Sequence, residues 1–266
     1  MRRSILVVLG VGAALVASAE ARLGQLPRRS TQSEPAPAIN PNAPCGTAGD
    51  FDYHVLEMFW RPQSCLQQGN VTWPGCVLPG RVDRLTVHGL WPSYTREASP
   101  TCSTPWPQFC PNRPAFDLTA LFQDQALLTD LQTYWPDVQN LTVGENAQYE
   151  WFWQHEWQKH GVCTLADQVA FFRGAVGLRA ALAIPDEVTR NLGGYADAAK
   201  INAAVGGFAT CAHVNGNSTQ LELSGIAICY TPAPGSAMAG DIIDCPQKQQ
   251  ACPVDGTKIL VRDGSS

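Results

Sequence analysis

The sequence predicts an α+β fold: a single domain in which a central, mostly antiparallel sheet packs with several helices. Strand-like patterns occupy both ends of the domain and helix-like patterns lie between them, an order that favours α+β over regular βαβ alternation. Apolar residues make up 45% of the 266 residues and charged residues 15%, which excludes a disordered chain. The ten cysteines, an even number spread along the chain, indicate five disulfides and an oxidising compartment.

The first 44 residues are expected to lie outside this domain. A basic start and an apolar run from Ile5 to Ala17 predict a secretory signal peptide over residues 1–19, because the run is too short for a membrane span. An uncleaved anchor is the alternative. Residues 20–44 are rich in Pro, Ser, Gln and Arg and are predicted to be a flexible lead-in. Losing residues 1–19 removes two arginines and no acid, so the formal charge falls from -5 to -7, which excludes a general basic nucleic-acid-binding surface.

Residues 45–266 contain the predicted elements in the following order. Two buried strands come first, at 53–60 and 84–88. Helical apolar spacing then predicts helices at 124–135, stopped by Pro136, and at 149–160, ended by Gly161. Two further helices are expected at 165–182 and 195–205, and strands return at 208–214, 221–230 and 241–245.

Two short segments carry residues typical of catalysis. In the first, His88 ends an apolar strand and is followed by a glycine, which places its imidazole at a rim; a structural histidine is an equal alternative. In the second, four polar residues lie at roughly 0°, 100°, 40° and 140° around a helix axis and therefore share one side. They are His155, Glu156, Lys159 and His160.

A solvated helix face with an i,i+4 salt bridge is the plain alternative for the second segment. The surrounding tryptophans weaken it, because apolar walls beside titratable groups favour a site with shifted pKa values. A zinc-protease HExxH motif fails, since Lys159 stands where the second histidine is needed and repels a divalent metal. No metal and no cofactor are therefore expected.

Cleavage of RNA through its own 2′-hydroxyl fits this set of residues. The substrate supplies the nucleophile, so the protein supplies a base, an acid and positive charge for the crowded phosphorus. Two histidines can hold opposite protonation states in mildly acidic solution, and aromatic side chains can stack on unpaired bases.

The two segments, His88-Gly-Leu-Trp-Pro92 and Phe152-Trp-Gln-His-Glu-Trp-Gln-Lys-His-Gly-Val-Cys163, resemble the active-site segments of the ribonuclease T2 family of secreted acid ribonucleases. The resemblance extends from about Tyr53 to Cys252. It implies a metal-independent endoribonuclease that cuts single-stranded RNA to 2′,3′-cyclic phosphate ends and then hydrolyses them slowly to 3′-phosphates.

By the same resemblance, His160 would take the proton of the 2′-hydroxyl and His88 would protonate the leaving oxygen. Glu156 and Lys159 would stabilise the phosphorane, Glu156 would also orient His160, and His155 would hold the phosphate. Trp91 would stack on one base, and Phe152 would help to form a second base subsite. The remaining histidines, His54 and His213, are expected to be structural.

Several positions depart from the family pattern, in which a base-contacting Gln lies near Trp60. Here the stretch reads Glu57-Met-Phe59-Trp-Arg61, with Arg61 where Pro is usual. Val162 stands where Thr is common, and Ser93 replaces an Asp near the first base site. None of these is an acid or base group of the predicted reaction, so the departures bear on base preference.

The resemblance also implies the disulfide pairing. The expected pairs are Cys65–Cys76, Cys102–Cys163, Cys211–Cys252 and Cys229–Cys245, which leaves Cys45–Cys110; spacing alone does not choose among connectivities. Three sequons, at Asn70, Asn140 and Asn217, are candidate glycosylation sites if the source is eukaryotic.

The expected partner is single-stranded RNA, with no binding to DNA and none to a membrane after signal cleavage. The protein is expected to be a monomer, secreted or held in an acidic vacuole-like or lysosome-like compartment. Its pH optimum is expected at about 4.5–6, with a neutral optimum as the alternative. A recognition or defence protein on the same fold is the competing class, and a metal-dependent hydrolase is disfavoured.

Overall fold

A long antiparallel strand pair organises the protein: β1 (Tyr53–Trp60) and β2 (Leu85–Ser93). The structure, a computed structural model, describes residues 43–64, 84–96, 102–137, 147–214, 219–233 and 238–264. All of them belong to one compact unit that spans Ile39–Ser266. The predicted signal peptide and all but the last two residues of the predicted lead-in, residues 1–42, lie outside the described residues.

Most helices lie between β2 and the later strands, and the predicted α+β class is confirmed. They are α1 (Arg61–Ser64), α2 (Leu118–Phe122), α3 (Gln125–Tyr134), α4 (Ala147–Lys159), α5 (Gln168–Ala181), α6 (Asp186–Thr189) and α7 (Ala198–Val205). The later strands are β3 (Tyr195–Asp197), β4 (Phe208–His213), β5 (Leu221–Pro232), β6 (Ala239–Ile243) and β7 (Lys258–Leu260). The helix predicted over 195–205 thus begins only at Ala198, because Tyr195–Asp197 pairs with β7 as a strand.

The seven described strands form one sheet centred on β5. Its order is β2-β1-β5-β7-β3, with β4 and β6 also paired to β5. Every pairing is antiparallel except that of β5 with β7, so the predicted mostly antiparallel sheet is confirmed. Residues at alternate positions of β1 are fully buried, and those between them are partly exposed. One face of β1 therefore packs on the core, and the other is free to line a site.

Aspartates and aromatic residues explain where the helices begin and how α4 packs. Asp124 and Asp167 cap α3 and α5, each accepting a hydrogen bond from a backbone amide three residues later. Trp153 and Trp157 are four residues apart on α4 and fully buried. Their indole nitrogens donate to the carbonyls of Trp135 and Pro114, which fixes how α4 is rotated.

Two of the expected disulfides are wrong. The structure pairs Cys45 with Cys102 and Cys110 with Cys163, not Cys102 with Cys163 and Cys45 with Cys110. The physical reason is the path of the chain before Cys110: the Phe109 amide donates to the carbonyl of Lys159 at 2.9 Å, so Cys110 arrives beside the end of α4.

The other disulfide predictions divide into two groups. Cys211–Cys252 and Cys229–Cys245 are present as predicted. Cys65–Cys76 lies outside the described residues, as do the three sequons at Asn70, Asn140 and Asn217. Within the described ranges, no helix is long and apolar enough to cross a membrane.

Candidate active site

A pocket of about 390 Å³ lies where the free face of β1 and β2 meets the polar side of α4. Its lining brings together residues from both segments that the sequence singled out: His88, Trp91, His155, Glu156, Lys159 and His160. Phe152 is not among the lining residues, but its ring centre lies 6.1 Å from that of His88. The proposed acid, base and phosphate-binding groups are thus neighbours in space.

At His88, strand β2 contains one extra residue. Glu57 pairs with Gly89 and Met58 with Val87, so His88 has no partner on β1 and forms a β-bulge. Thr86 pairs with Phe59 on the pocket face, so alternation places His88 on that face, and the bulge brings Trp91 to the same face. The His88 ring stacks on Phe59 with ring centres 4.1 Å apart. The indole nitrogen of Trp135 donates to the His88 carbonyl at 3.1 Å and holds the bulged backbone.

Gly89 leaves space for the contact that joins the two segments. The indole nitrogen of Trp91 donates to Oε2 of Glu156 at 2.9 Å. A Cβ atom on residue 89 would lie 2.0 Å from that nitrogen and 2.3 Å from that oxygen. Only glycine therefore allows Trp91 and Glu156 to meet directly above the backbone of β2.

Glu156 stands between two of the imidazoles. Its Oε1 lies 3.9 Å from Nε2 of His88 and 4.0 Å from Nε2 of His155, and its side chain is 1% exposed. His160 is held in another way: its ring stacks on Trp91, with centres 5.1 Å apart. The Nδ1 atom of His160 is buried and has no hydrogen-bond partner among the described residues.

The end of α4 positions His160 and Lys159. The helix ends at Lys159, and His160 leads into a short 3-10 turn, Gly161–Cys163. A Cβ atom on Gly161 would come within 2.4 Å of the Trp157 ring, so this glycine is required for close packing rather than for a left-handed cap. The Cys110–Cys163 disulfide ties the turn to the loop before α2.

Burial favours the neutral form of the three imidazoles that line the pocket. It lowers the pKa of His160 well below its ordinary value, and the charge on Lys159 adds to the effect. Although 30% of the His88 side chain is exposed, burial lowers its pKa as well, and the nearby Arg61 guanidinium lowers it further. The pKa of His155 shifts in the same direction.

The pKa of the Glu156 carboxyl shifts in the opposite direction. Burial raises its pKa to about 8, against the smaller effects of the Trp91 hydrogen bond and of Lys159. Glu156 is therefore a neutral acid in mildly acidic solution and can donate a hydrogen bond. Because Glu156 is neutral and Lys159 is charged, the pocket can bind an anion.

Three residues on or next to the β1 side of the pocket were not among the predicted site residues. Phe59 underlies His88, and Arg61 stacks on Phe59 at 5.1 Å from its ring centre while donating to Thr86 and to the carbonyl of Pro136. Glu57 also lines the pocket. Alternation along β1 places Glu57 and Phe59 on one face, a signal that identifies them as neighbours but not which face meets the site.

Sequence comparison finds ribonucleases. A model described as the ribonuclease T2 family matches residues 51–233. Ribonuclease MC of Momordica charantia is 36% identical over 131 residues, which cover 48% of this chain and 58% of that protein. Intracellular ribonuclease LX of Solanum lycopersicum is 28% identical over 135 residues, 51% of this chain and 50% of that protein. The chain thus spans about half the length of these curated relatives.

Structure comparison finds the same group. A crystal structure of RNase NT in complex with 5′-AMP superposes with a TM-score of 0.59 and 22% identity, covering 80% of this chain and 98% of that one. A mutant of ribonuclease MC1 superposes with a TM-score of 0.56 and 25% identity, covering 79% of this chain and 100% of that one. At 22% identity the first likeness is one of fold.

Proposed function

Because the chain belongs to the ribonuclease T2 family, whose model matches more than half of its length, we propose that it is an endoribonuclease that cuts single-stranded RNA without a metal ion. One observation carries the proposal: three imidazoles, the neutral carboxyl of Glu156 and a lysine line one pocket, which has space for a phosphodiester. The disulfides fit passage through an oxidising compartment, so we also propose that the protein is secreted.

In the proposed reaction the substrate supplies the nucleophile. The lowered pKa of His160 makes it neutral in the free enzyme, as a base must be. His160 takes the proton of the 2′-hydroxyl, the 2′-oxygen bonds to phosphorus, and the bond from phosphorus to the 5′-oxygen breaks. His88 gives its proton to that leaving oxygen. The products are a 2′,3′-cyclic phosphate and a free 5′-hydroxyl.

The other groups favour the transition state. Glu156, neutral because burial raises its pKa, donates its proton in a hydrogen bond to a non-bridging oxygen while Trp91 holds its second oxygen. Lys159 supplies positive charge to the phosphorane. The phosphate in turn offsets the burial that depresses the pKa of His88, so substrate binding itself promotes the protonated form of the acid.

His155 is assigned to phosphate binding rather than to proton transfer. Its side chain is 39% exposed and stacks on Trp151, with ring centres 5.7 Å apart, so it lies at the mouth of the pocket. Trp91 presents only one ring face to a base, since His160 stacks on the other. Phe152 borders His88 and is assigned to the base on the leaving-group side.

The test is digestion of single-stranded RNA in excess EDTA, with mass analysis of the ends. We expect cleavage to 2′,3′-cyclic phosphates, and His88→Ala and His160→Ala should each lower kcat by at least roughly 10²-fold. His213→Ala, at an exposed histidine on β4, is the matched control. Metal-dependent cleavage, direct 3′-hydroxyl ends, or near-normal turnover in either active-site variant would overturn the proposal.

A further inference from the structure

A carboxyl group with no role in this reaction lies on the floor of the same pocket. In the sheet, Glu57 of β1 has Gly89 of β2 on one side and Ala227 of β5 on the other. Directly opposed residues on neighbouring strands lie about 4.5–5.5 Å apart on the same face. Trp91 and Glu156 meet above Gly89, and the Glu57 carboxyl lines the pocket beside them.

Apolar side chains line the pocket next to Glu57. Val55 and Phe59 flank Glu57 on the same face of β1, and Phe208 of β4 follows Ala227 in the same row across the sheet. Beyond them, Ser224 and Thr210 share a hydrogen bond of 3.0 Å and line the pocket. A carboxyl floor between aromatic and aliphatic walls suits a flat ring that carries hydrogen-bond donors on one edge.

Within the part of the chain that the structure describes, the Glu57 side chain has no hydrogen bond and no ion pair. Burial alone raises its pKa, to about 8. A partly buried carboxyl without a partner is incompletely solvated, and a ligand that donates hydrogen bonds to it offsets the free-energy cost of that burial. The observations therefore point to a ligand group that supplies N–H donors.

We propose that Glu57 selects guanine by accepting hydrogen bonds from its N1–H and its N2 amino group. The proposal rests on the proposed function, because the ligand is a base of the RNA substrate. An ionised carboxylate has only acceptors, and guanine is the one RNA base with two adjacent N–H donors on its Watson–Crick edge. Adenine and cytosine each offer a single amino group beside an acceptor nitrogen.

The preference for guanine over the other bases depends on the ionisation of Glu57. As a neutral acid it carries one donor and one acceptor, which fit an edge of every base and distinguish none of them. Guanine favours the carboxylate, so binding releases a proton and the preference for guanine grows as pH rises towards about 8. Near pH 5 the preference disappears.

Other titratable groups face the same pocket. They are His88 on β2, Tyr53 on β1, His155, Glu156 and Lys159 on α4, and His160 just after α4, whereas the walls from β4 and β5 are uncharged. Their titration changes the binding of any nucleotide phosphate. A comparison of two nucleotides with the same phosphate cancels that contribution, and only the base edge differs.

The experiment compares guanosine and inosine 5′-monophosphates by titration calorimetry on the wild-type protein, Glu57→Gln and the control Glu150→Gln, an exposed carboxyl on α4. Inosine lacks only the N2 amino group. At pH 7.5 we expect GMP to bind the wild type and the control roughly tenfold more tightly than IMP, as for one hydrogen bond to a charged group. At pH 5, and in Glu57→Gln at both pH values, we expect equal affinities.

Equal affinities in the wild type at pH 7.5, or an unchanged GMP preference in Glu57→Gln, would overturn the assignment of Glu57. The wild-type comparison needs no variant, so it decides the matter even if Glu57→Gln fails to fold. Binding is also measured without catalysis. Selective GMP binding without RNA cleavage would refute the proposed function and leave the guanine site standing.

Discussion

A buried histidine on the other face of β1 makes the protein less stable in acid, and one substitution should remove that effect. His54 is fully buried, packs edge-on against Phe51, and has no hydrogen-bond partner for either ring nitrogen among the described residues. Burial lowers its pKa from 6.5 to about 4. The unfolded chain therefore binds a proton between these pH values, which the folded chain does not.

The size of the effect follows from the pKa difference. Stability is lost as pH falls through 6.5 and the loss is complete below about 4, where it reaches about 3 kcal/mol at 1.36 kcal/mol per unit. At pH 4.5 most of this loss is present. The change is about 2–3 kcal/mol, a large part of the stability of an ordinary domain.

We predict that His54→Phe reduces the drop in the free energy of unfolding between pH 7 and pH 4.5 by about 2–3 kcal/mol. Phenylalanine keeps the ring contact with Phe51, and any packing cost is equal at both pH values. Urea unfolding, followed by tryptophan fluorescence with the disulfides intact, measures the drop. His213→Gln is the control. An identical drop in wild type and His54→Phe would refute the reasoning.

Three further predictions concern the active site and the disulfides. Gly89→Ala should lower kcat by roughly tenfold or more with the fold retained, because the new methyl group breaks the Trp91–Glu156 hydrogen bond; an unchanged kcat would contradict the role of that contact. The kcat/KM profile should peak below pH 6.5, because the pKa values of both His88 and His160 are lowered. Since the charge on Arg61 lowers the pKa of His88, Arg61→Met should move the alkaline limb of the profile to higher pH. Arg61→Lys keeps the charge and should leave that limb unchanged. Peptide mapping of the unreduced protein should recover Cys45–Cys102 and Cys110–Cys163; a Cys102–Cys163 peptide would contradict this pairing.

The sequence was sufficient for the parts of the site that depend on local pattern. Helical spacing placed His155, Glu156, Lys159 and His160 on one side of the helix predicted over 149–160, and the structure brings all four to one pocket. The strand ending near His88 was also predicted, although β2 continues to Ser93. Both features follow from periodicity within a single element, which needs no knowledge of its neighbours.

Features that depend on pairing between distant segments could not be derived in this way. The bulge at His88 exists only in the register of β2 against β1, and the neighbours of Glu57 across the sheet, Gly89 and Ala227, follow from the pairing of three strands. The disulfide partners were wrong because they depend on the path that places Phe109 against the end of α4. Arg61 departs from the family pattern, and its contact with Phe59 depends on tertiary packing rather than on a local pattern.

The central claim is that the substrate's own 2′-hydroxyl is the nucleophile and that His160 removes its proton. The most direct measurement uses a DNA oligonucleotide with a single ribonucleotide, incubated in EDTA with wild type and with His160→Ala. We expect wild type to cut once, after the ribose, leaving a 2′,3′-cyclic phosphate, and to leave the all-DNA and 2′-O-methyl versions intact. Cleavage of either of those two, or equal cleavage of the ribose substrate by His160→Ala, would contradict the account.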